Sequence, residues 1–174
     1  MRLFAIAIIG SLLLIGCAPV HHLFSSSTMT ISSPAFRQND RIPATYACDG
    51  ENVSPPLHFG DVPEGAQSLA LIVNDPDASR GDWVHWVVYG IDPSTTDIPK
   101  GTIPIGGIEG ITDYRRTGYS GPCPPSGTHR YVFRLYAMGR DLDFDSPPTK
   151  QELLQAMGGD ILASSELVGL YTRE

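Results

Sequence analysis

The sequence is short of positive charge. Twelve Lys and Arg stand against nineteen Asp and Glu, a formal net charge of −7 in 174 residues. That balance argues against nucleic acid as a partner, and against a polybasic grip on anionic lipid. Cysteine is scarce, with three in the chain, too few for a dense disulfide scaffold. No apolar run is long enough to cross a bilayer comfortably: the one that follows Arg2, Leu3 to Gly16, has fourteen residues. There is no internal repeat, no Gly-x-Ser-x-Gly nucleophile motif and no familiar metal-ligand spacing. Helical periodicity is nearly absent as well.

What is present begins at the N-terminus. Arg2, the apolar run, then Leu14-Ile15-Gly16-Cys17 form a secretion signal ending in the pattern of a bacterial lipobox. On that reading residues 1–16 are removed. Cys17 receives diacylglycerol on sulfur, and its new amine can be acylated. Several acyl chains on one residue anchor stably where one would not. The mature chain loses only Arg2 among its charges, leaving eleven basic residues against nineteen acidic, net −8. Residues 17–28 read as lipidated cysteine and flexible tether, and residues 29–174 as one domain. His21 and His22 in the tether are a weak metal site without a third ligand. Ala18 after Cys17, in place of Asp, favours the outer membrane, with the domain facing the periplasm. Cys48 and Cys123 remain as an even pair in an oxidising compartment, where disulfides form.

Eighteen Gly and fifteen Pro punctuate short β-rich runs, the pattern of an all-β domain. Strands are expected at Met29–Ser32, Ser68–Asn74, Trp83–Tyr89, His129–Ala137 and about Ile161–Tyr171. Ser68–Asn74 is nearly continuous in apolar residues and is expected to be buried on both faces. One helix is expected over Lys150–Met157. Thr149 and Glu152 form a capping box before it, and Gly158-Gly159 follow.

Three places gather unusual polar residues. Asp75-Pro76-Asp77 closes the buried strand; it is either a pocket mouth or an ordinary turn, and an Asp–Pro bond can be cis at modest cost. His85 lies between Trp83 and Trp86. By period two it shares a face with Trp83, while Val84, Trp86 and Val88 share the other. Alone, such a histidine is more often a satisfied core or surface residue. The loop Gly118–Thr128 delivers His129 and Tyr131 onto one face of the clearest strand, and its glycines leave backbone N–H groups open to an anion.

Together these segments resemble the phosphatidylethanolamine-binding protein family in its bacterial branch. The matching text is Cys48-Asp49-Gly50-Glu51-Asn52-Val53-Ser54-Pro55-Pro56-Leu57, Val62-Pro63-Glu64-Gly65, Asp75-Pro76-Asp77-Ala78, Trp83 to Val88, Gly121 to Phe133 and Glu166 to Tyr171. The resemblance implies two packed antiparallel sheets, a sandwich with one or two short helices. It also implies a small pocket for phosphate-like anions and phospholipid head groups. Asp75, Asp77, His85, Gly121, Pro122, His129 and Tyr131 fall on its pocket positions, and Trp83 on a neighbouring wall. It further suggests a Cys48–Cys123 disulfide, since both loops approach the pocket. The loop between Asp77 and Trp83 is shorter than in eukaryotic members and lacks their pocket tyrosine; their C-terminal helix is missing too. The expected function is a non-catalytic, membrane-anchored protein binding a small phosphorylated or anionic ligand without a cofactor. His85 and His129 would supply positive charge or donors, and the aspartates would orient them. The rivals are a metal-dependent phosphoesterase, an inhibitor of a protease or kinase acting by surface contact, and a purely structural envelope protein.

Overall fold

A computed structural model describes residues 28–173. The signal, Cys17 and all of the tether but Thr28 lie outside the described residues. Eight strands and one α-helix follow in order: β1 Thr30–Ser32, β2 Leu57–Gly60, β3 Ser68–Asp75, β4 Trp83–Ile91, β5 Asp97–Ile98, β6 Ile108–Glu109, β7 Thr128–Met138, α1 Lys150–Met157 and β8 Ile161–Thr172. They form two antiparallel sheets, ordered β1-β2-β5 and β6-β4-β3-β7-β8.

The apolar run of β3 explains its central place. All eight of its residues are buried, because it has a strand on either side and a packed layer on either face. Leu69, Leu71 and Val73 point into a core shared with the small sheet, which supplies Ile31, Leu57, Phe59 and Ile98. Ala70 and Ile72 point the other way, into a core capped by the helix through Leu153 and Met157. Those two helix residues are four apart and so share one face. The helix has the expected bounds, and both halves of the Thr149–Glu152 capping box are formed. All peptide bonds among the described residues are trans, Asp75–Pro76 included.

Strict alternation fails along β4. Val73 pairs with Trp86, but Asn74 pairs with Val84, so His85 is the extra residue of a β-bulge. The expected grouping of Val84, Trp86 and Val88 is therefore wrong: Val84 packs in the helix-side core, while Trp86 and Val88 pack in the core shared with the small sheet. A bulge re-aims side chains in this way, and here it re-aims the one histidine that lies inside an apolar strand.

Candidate functional site

The last residue of β3, the first of β4 and the second of β7 lie at the same end of the large sheet. They place Asp75, Trp83 and His129 around a cavity of about 210 Å3. His85 and Tyr131 line its floor; Ala78, Ser79 and Arg80 come from the β3–β4 turn; Cys123, Pro124 and Pro125 come from the loop before β7. Tyr114 completes the wall. The space is smaller than the roughly 300–1,000 Å3 of drug-sized sites and suits a head group or a small anion.

The acidic group at the centre is already satisfied. Asp75 is buried, and its Oδ2 accepts from His129 Nδ1 at 2.7 Å while its Oδ1 accepts from the Asp77 N–H at 2.8 Å. His85 is also buried, and its Nδ1 lies 2.6 Å from the Ser120 carbonyl oxygen. A carbonyl only accepts, so Nδ1 carries the proton. In both rings Nε2 is the nitrogen left for a ligand. Burial pushes the His85 pKa below its ordinary 6.5, against the opposing pull of the Ser120 carbonyl and Asp75. His85 is therefore neutral at pH 7, and its Nε2 accepts a proton rather than offering one. Of the two roles expected of this ring, positive charge or donor, neither is present at Nε2 at neutral pH; both require protonation at lower pH.

Aromatic rings frame His85. Tyr131 meets it edge-on at 5.2 Å between centroids and Tyr114 at 5.6 Å; Tyr114 also meets Trp83 edge-on at 5.6 Å. The Tyr131 hydroxyl is buried without a hydrogen bond of ordinary geometry. Burial, with the nearby Asp75 charge second, raises its pKa, so it stays protonated as a donor. Among the described residues Arg80 has no hydrogen bond or ion pair, whereas Arg130, Arg134, Arg140 and Arg173 are all paired with carboxylates. A cation without a partner thus stands at the cavity's edge in an acidic chain.

The residues named from sequence divide into two groups. Asp75, Trp83, His85, His129 and Tyr131 line the cavity. Asp77, Gly121 and Pro122 do not; each is engaged beside it. Asp77 receives Arg130 Nε at 2.9 Å, Nη2 at 2.7 Å and the Arg130 backbone N–H at 2.9 Å, and the guanidinium holds its carboxyl down at about 2. It clamps the β3–β4 turn to β7 and orients no histidine; Asp75 alone orients His129. The Gly121 N–H donates to Asn52 Oδ1 at 2.7 Å, and the Pro122 carbonyl accepts from the Cys48 N–H at 3.0 Å. A Cβ on Gly121 would stand 2.3 Å from the Tyr46 carbonyl oxygen, so close packing requires glycine there and its N–H is not open to an anion. Cys48 and Cys123 are joined by a disulfide.

Sequence reasoning missed Tyr114 and Arg80. Tyr114 arrives from a long loop because Asp113 grips β4: its Oδ2 accepts from the Val84 N–H at 2.7 Å, and its own N–H donates to the Val84 carbonyl at 3.2 Å. No local pattern announces such a contact. Arg80 was readable as the one cation in a short turn that otherwise carries Asp77 and Asp82. Among the described residues, no group of three or more His, Cys, Asp or Glu is placed to hold a metal ion.

A two-sheet sandwich with a small polar cavity at its strand ends is a ligand-binding β domain. The chain belongs to the phosphatidylethanolamine-binding protein family, whose model matches residues 32–172. A UPF0098 protein of Methanothermobacter thermautotrophicus is 47% identical over 150 residues, covering 83% of this chain and 99% of its own length. One from Chlamydia trachomatis is 41% identical over 151 residues, covering 84% and 100%. Among solved structures, a proposed phosphatidylethanolamine-binding protein homologue of Chlamydia trachomatis superposes with a TM-score of 0.82 at 40% identity, covering 86% of this chain and all of that one. YbcL of E. coli, described as a new member of the mammalian family, gives 0.78 at 27%, covering 85% and 100%.

Proposed function

We propose that this protein holds a small phosphorylated or otherwise anionic ligand, of head-group size, in the cavity between Asp75, His85 and His129, and that it does so without turning it over. The observation that carries the reading is the division of partners. The acid in the cavity has both oxygens filled by protein donors, while Arg80, the Tyr131 hydroxyl and two imidazole Nε2 atoms make no hydrogen bond of ordinary geometry among the described residues. An anion is attracted to the first two. A singly protonated phosphate has an O–H to give to the neutral His85 Nε2.

Binding rather than hydrolysis is favoured because Asp75 is not free to ligate a metal or to take a proton from water. The protein acts from the cell envelope, tethered through lipid on Cys17 with the domain on the periplasmic side; the lipobox pattern and the tether length support this. Isothermal titration with O-phosphoethanolamine and inorganic phosphate, each at pH 7, tests the cavity. Saturable one-site binding is expected, and its absence for both ligands overturns the reading. Mass spectrometry of the N-terminal peptide from native membranes tests the anchor independently, since a free or unprocessed Cys17 rules it out.

A further inference from the structure

Among the described residues, exposed large apolar side chains are confined to few places. Ile103 and Ile105, at 50% and 70% exposure, stand in the loop before β6, Ile108 opens β6 at 52%, and Ile161 and Leu162 open β8 at 38% and 49%. Tyr114, the remaining one, belongs to the cavity wall.

The strand register places most of these groups at the end of the domain opposite the cavity. Ile108 pairs with Tyr89 and the Asp92 N–H donates to the Ile105 carbonyl at 2.9 Å, so Ile105 and Ile108 lie beside the far end of β4, while Ile103 stands further back along the strand in a hollow with Trp86 and Tyr119. Ile161 pairs with Met138, the last residue of β7, and Met138 in turn pairs with Ser68, the first residue of β3. The cavity residues Asp75, Trp83 and His129 are at the other ends of these same strands. At roughly 3.3 Å per residue, the length of β4 sets the two ends about 25 Å apart.

The N-terminal segment enters at the apolar end. Thr30 pairs with Gly60, and the neighbouring Phe59 N–H donates to the carbonyl of Thr96, four residues beyond Asp92. The loop itself is rigid: Gly107 N–H donates to the Pro104 carbonyl at 2.9 Å and Gly110 N–H to the Val87 carbonyl at 2.9 Å, which hold the isoleucines outward. The flanking cations, Lys100 and Arg140, are already paired with Glu51 and Asp160. Contact at this end is therefore apolar rather than electrostatic.

We propose that the isoleucine loop at the β6 edge, together with Ile161 and Leu162 at the opposite β8 edge of the same end, forms the rim on which the anchored domain rests against its own bilayer, so that the cavity opens away from that membrane and takes its ligand from the aqueous phase. The inference rests on the Cys17 anchor. Ten residues, and so eleven residue-to-residue steps, separate Cys17 from Thr28 and reach at most about 40 Å when extended. The leash thus keeps the loop within reach of lipid but is too slack to fix an orientation by itself; seating the loop does so.

The test uses the lipidated mature chain in zwitterionic vesicles containing lipids with nitroxide-labelled acyl chains. An environment-sensitive fluorophore is placed on Ile105→Cys, or on Ser126→Cys at the cavity end. The label at 105 should be quenched and blue-shifted, unchanged by added salt, while the label at 126 stays bright. An unmodified Cys17 in the same preparation overturns the anchor and this inference with it. Equal quenching at the two positions, none at 105, or shielding of 105 that follows self-association instead of lipid overturns this inference alone.

Discussion

Replacing Cys48 and Cys123 by serine together separates what the disulfide does for stability from what it does for the cavity. The bridge spans 75 residues of sequence. In the chain-entropy model a loop of that length costs the unfolded ensemble about 4.5 kcal/mol at 25 °C, so removing the bridge destabilises by up to that amount. For a domain of this size about 1 kcal/mol moves Tm by roughly 2–4 °C, giving a fall of about 9–18 °C. The folded cavity should barely notice. The loop carrying Cys123 is also docked by Gly121 N–H on Asn52, by Cys48 N–H on the Pro122 carbonyl, and by the Tyr119 hydroxyl donating to the Tyr46 carbonyl at 2.9 Å. Calorimetric unfolding paired with phosphate titration below the new Tm reads both quantities. A large loss of Tm with affinity within about twofold supports the reasoning. Lost binding in a variant that is still folded, or a Tm change of only a degree or two, refutes it.

The remaining predictions concern the cavity itself. Arg80→Gln should weaken phosphate binding by roughly fivefold, from about 1 kcal/mol for a solvent-exposed ion pair, and leave Tm unchanged; an unaltered isotherm would place Arg80 outside the site. Sulfate, which has no proton to give His85 in this range, should bind weakly and evenly between pH 7 and 8 and then strengthen below 6.5, as His85 turns from acceptor to donor. The charge-assisted bond is worth about 1.5–3 kcal/mol once formed. The sign for stability is opposite: with a folded pKa below the ordinary one, the contribution of His85 is complete above pH 6.5 and declines as pH falls. A sulfate affinity that stays flat while the His85 ring itself protonates, as followed by its imidazole nitrogen shifts, removes His85 from anion binding. Asp75→Asn offers one carbonyl oxygen where two carboxylate oxygens served His129 and the Asp77 N–H. It should cost about 1–3 kcal/mol, and where the amide nitrogen faces His129 it forces that ring to the Nε2–H tautomer. Thermal unfolding and imidazole nitrogen shifts measure the two effects, and a variant as stable as the parent with the same tautomer contradicts the proposed role.

How much was legible in the sequence follows from how local each signal is. The capping box, the buried run of β3 and the alternation of β7 are written in adjacent residues, and the structure forms them within a residue or two of the expected bounds. The strands of two to four residues at 57–60, 97–98 and 108–109 are too short for any period to declare itself; pairing partners far along the chain create them. The bulge at His85 depends on the register of β3 against β4, which no reading of β4 alone can supply. The same division holds in the cavity. Asp75, His85 and His129 stand on or at the ends of legible strands, whereas Tyr114 arrives on a loop held by Asp113. Asp77, Gly121 and Pro122 look like pocket residues because their neighbours are. Only the hydrogen bonds to Arg130, Asn52 and Cys48 show them holding the frame instead.

The most direct measurement is a phosphate titration of nitrogen-15-labelled protein, following the imidazole Nε2 resonances of His85 and His129. Both should move together along one saturating curve while their Nδ1 resonances keep the signature of bound protons, one facing Ser120 and the other Asp75. Resonances that stay still while phosphate binds elsewhere, or that never respond, would contradict an anion held in this cavity.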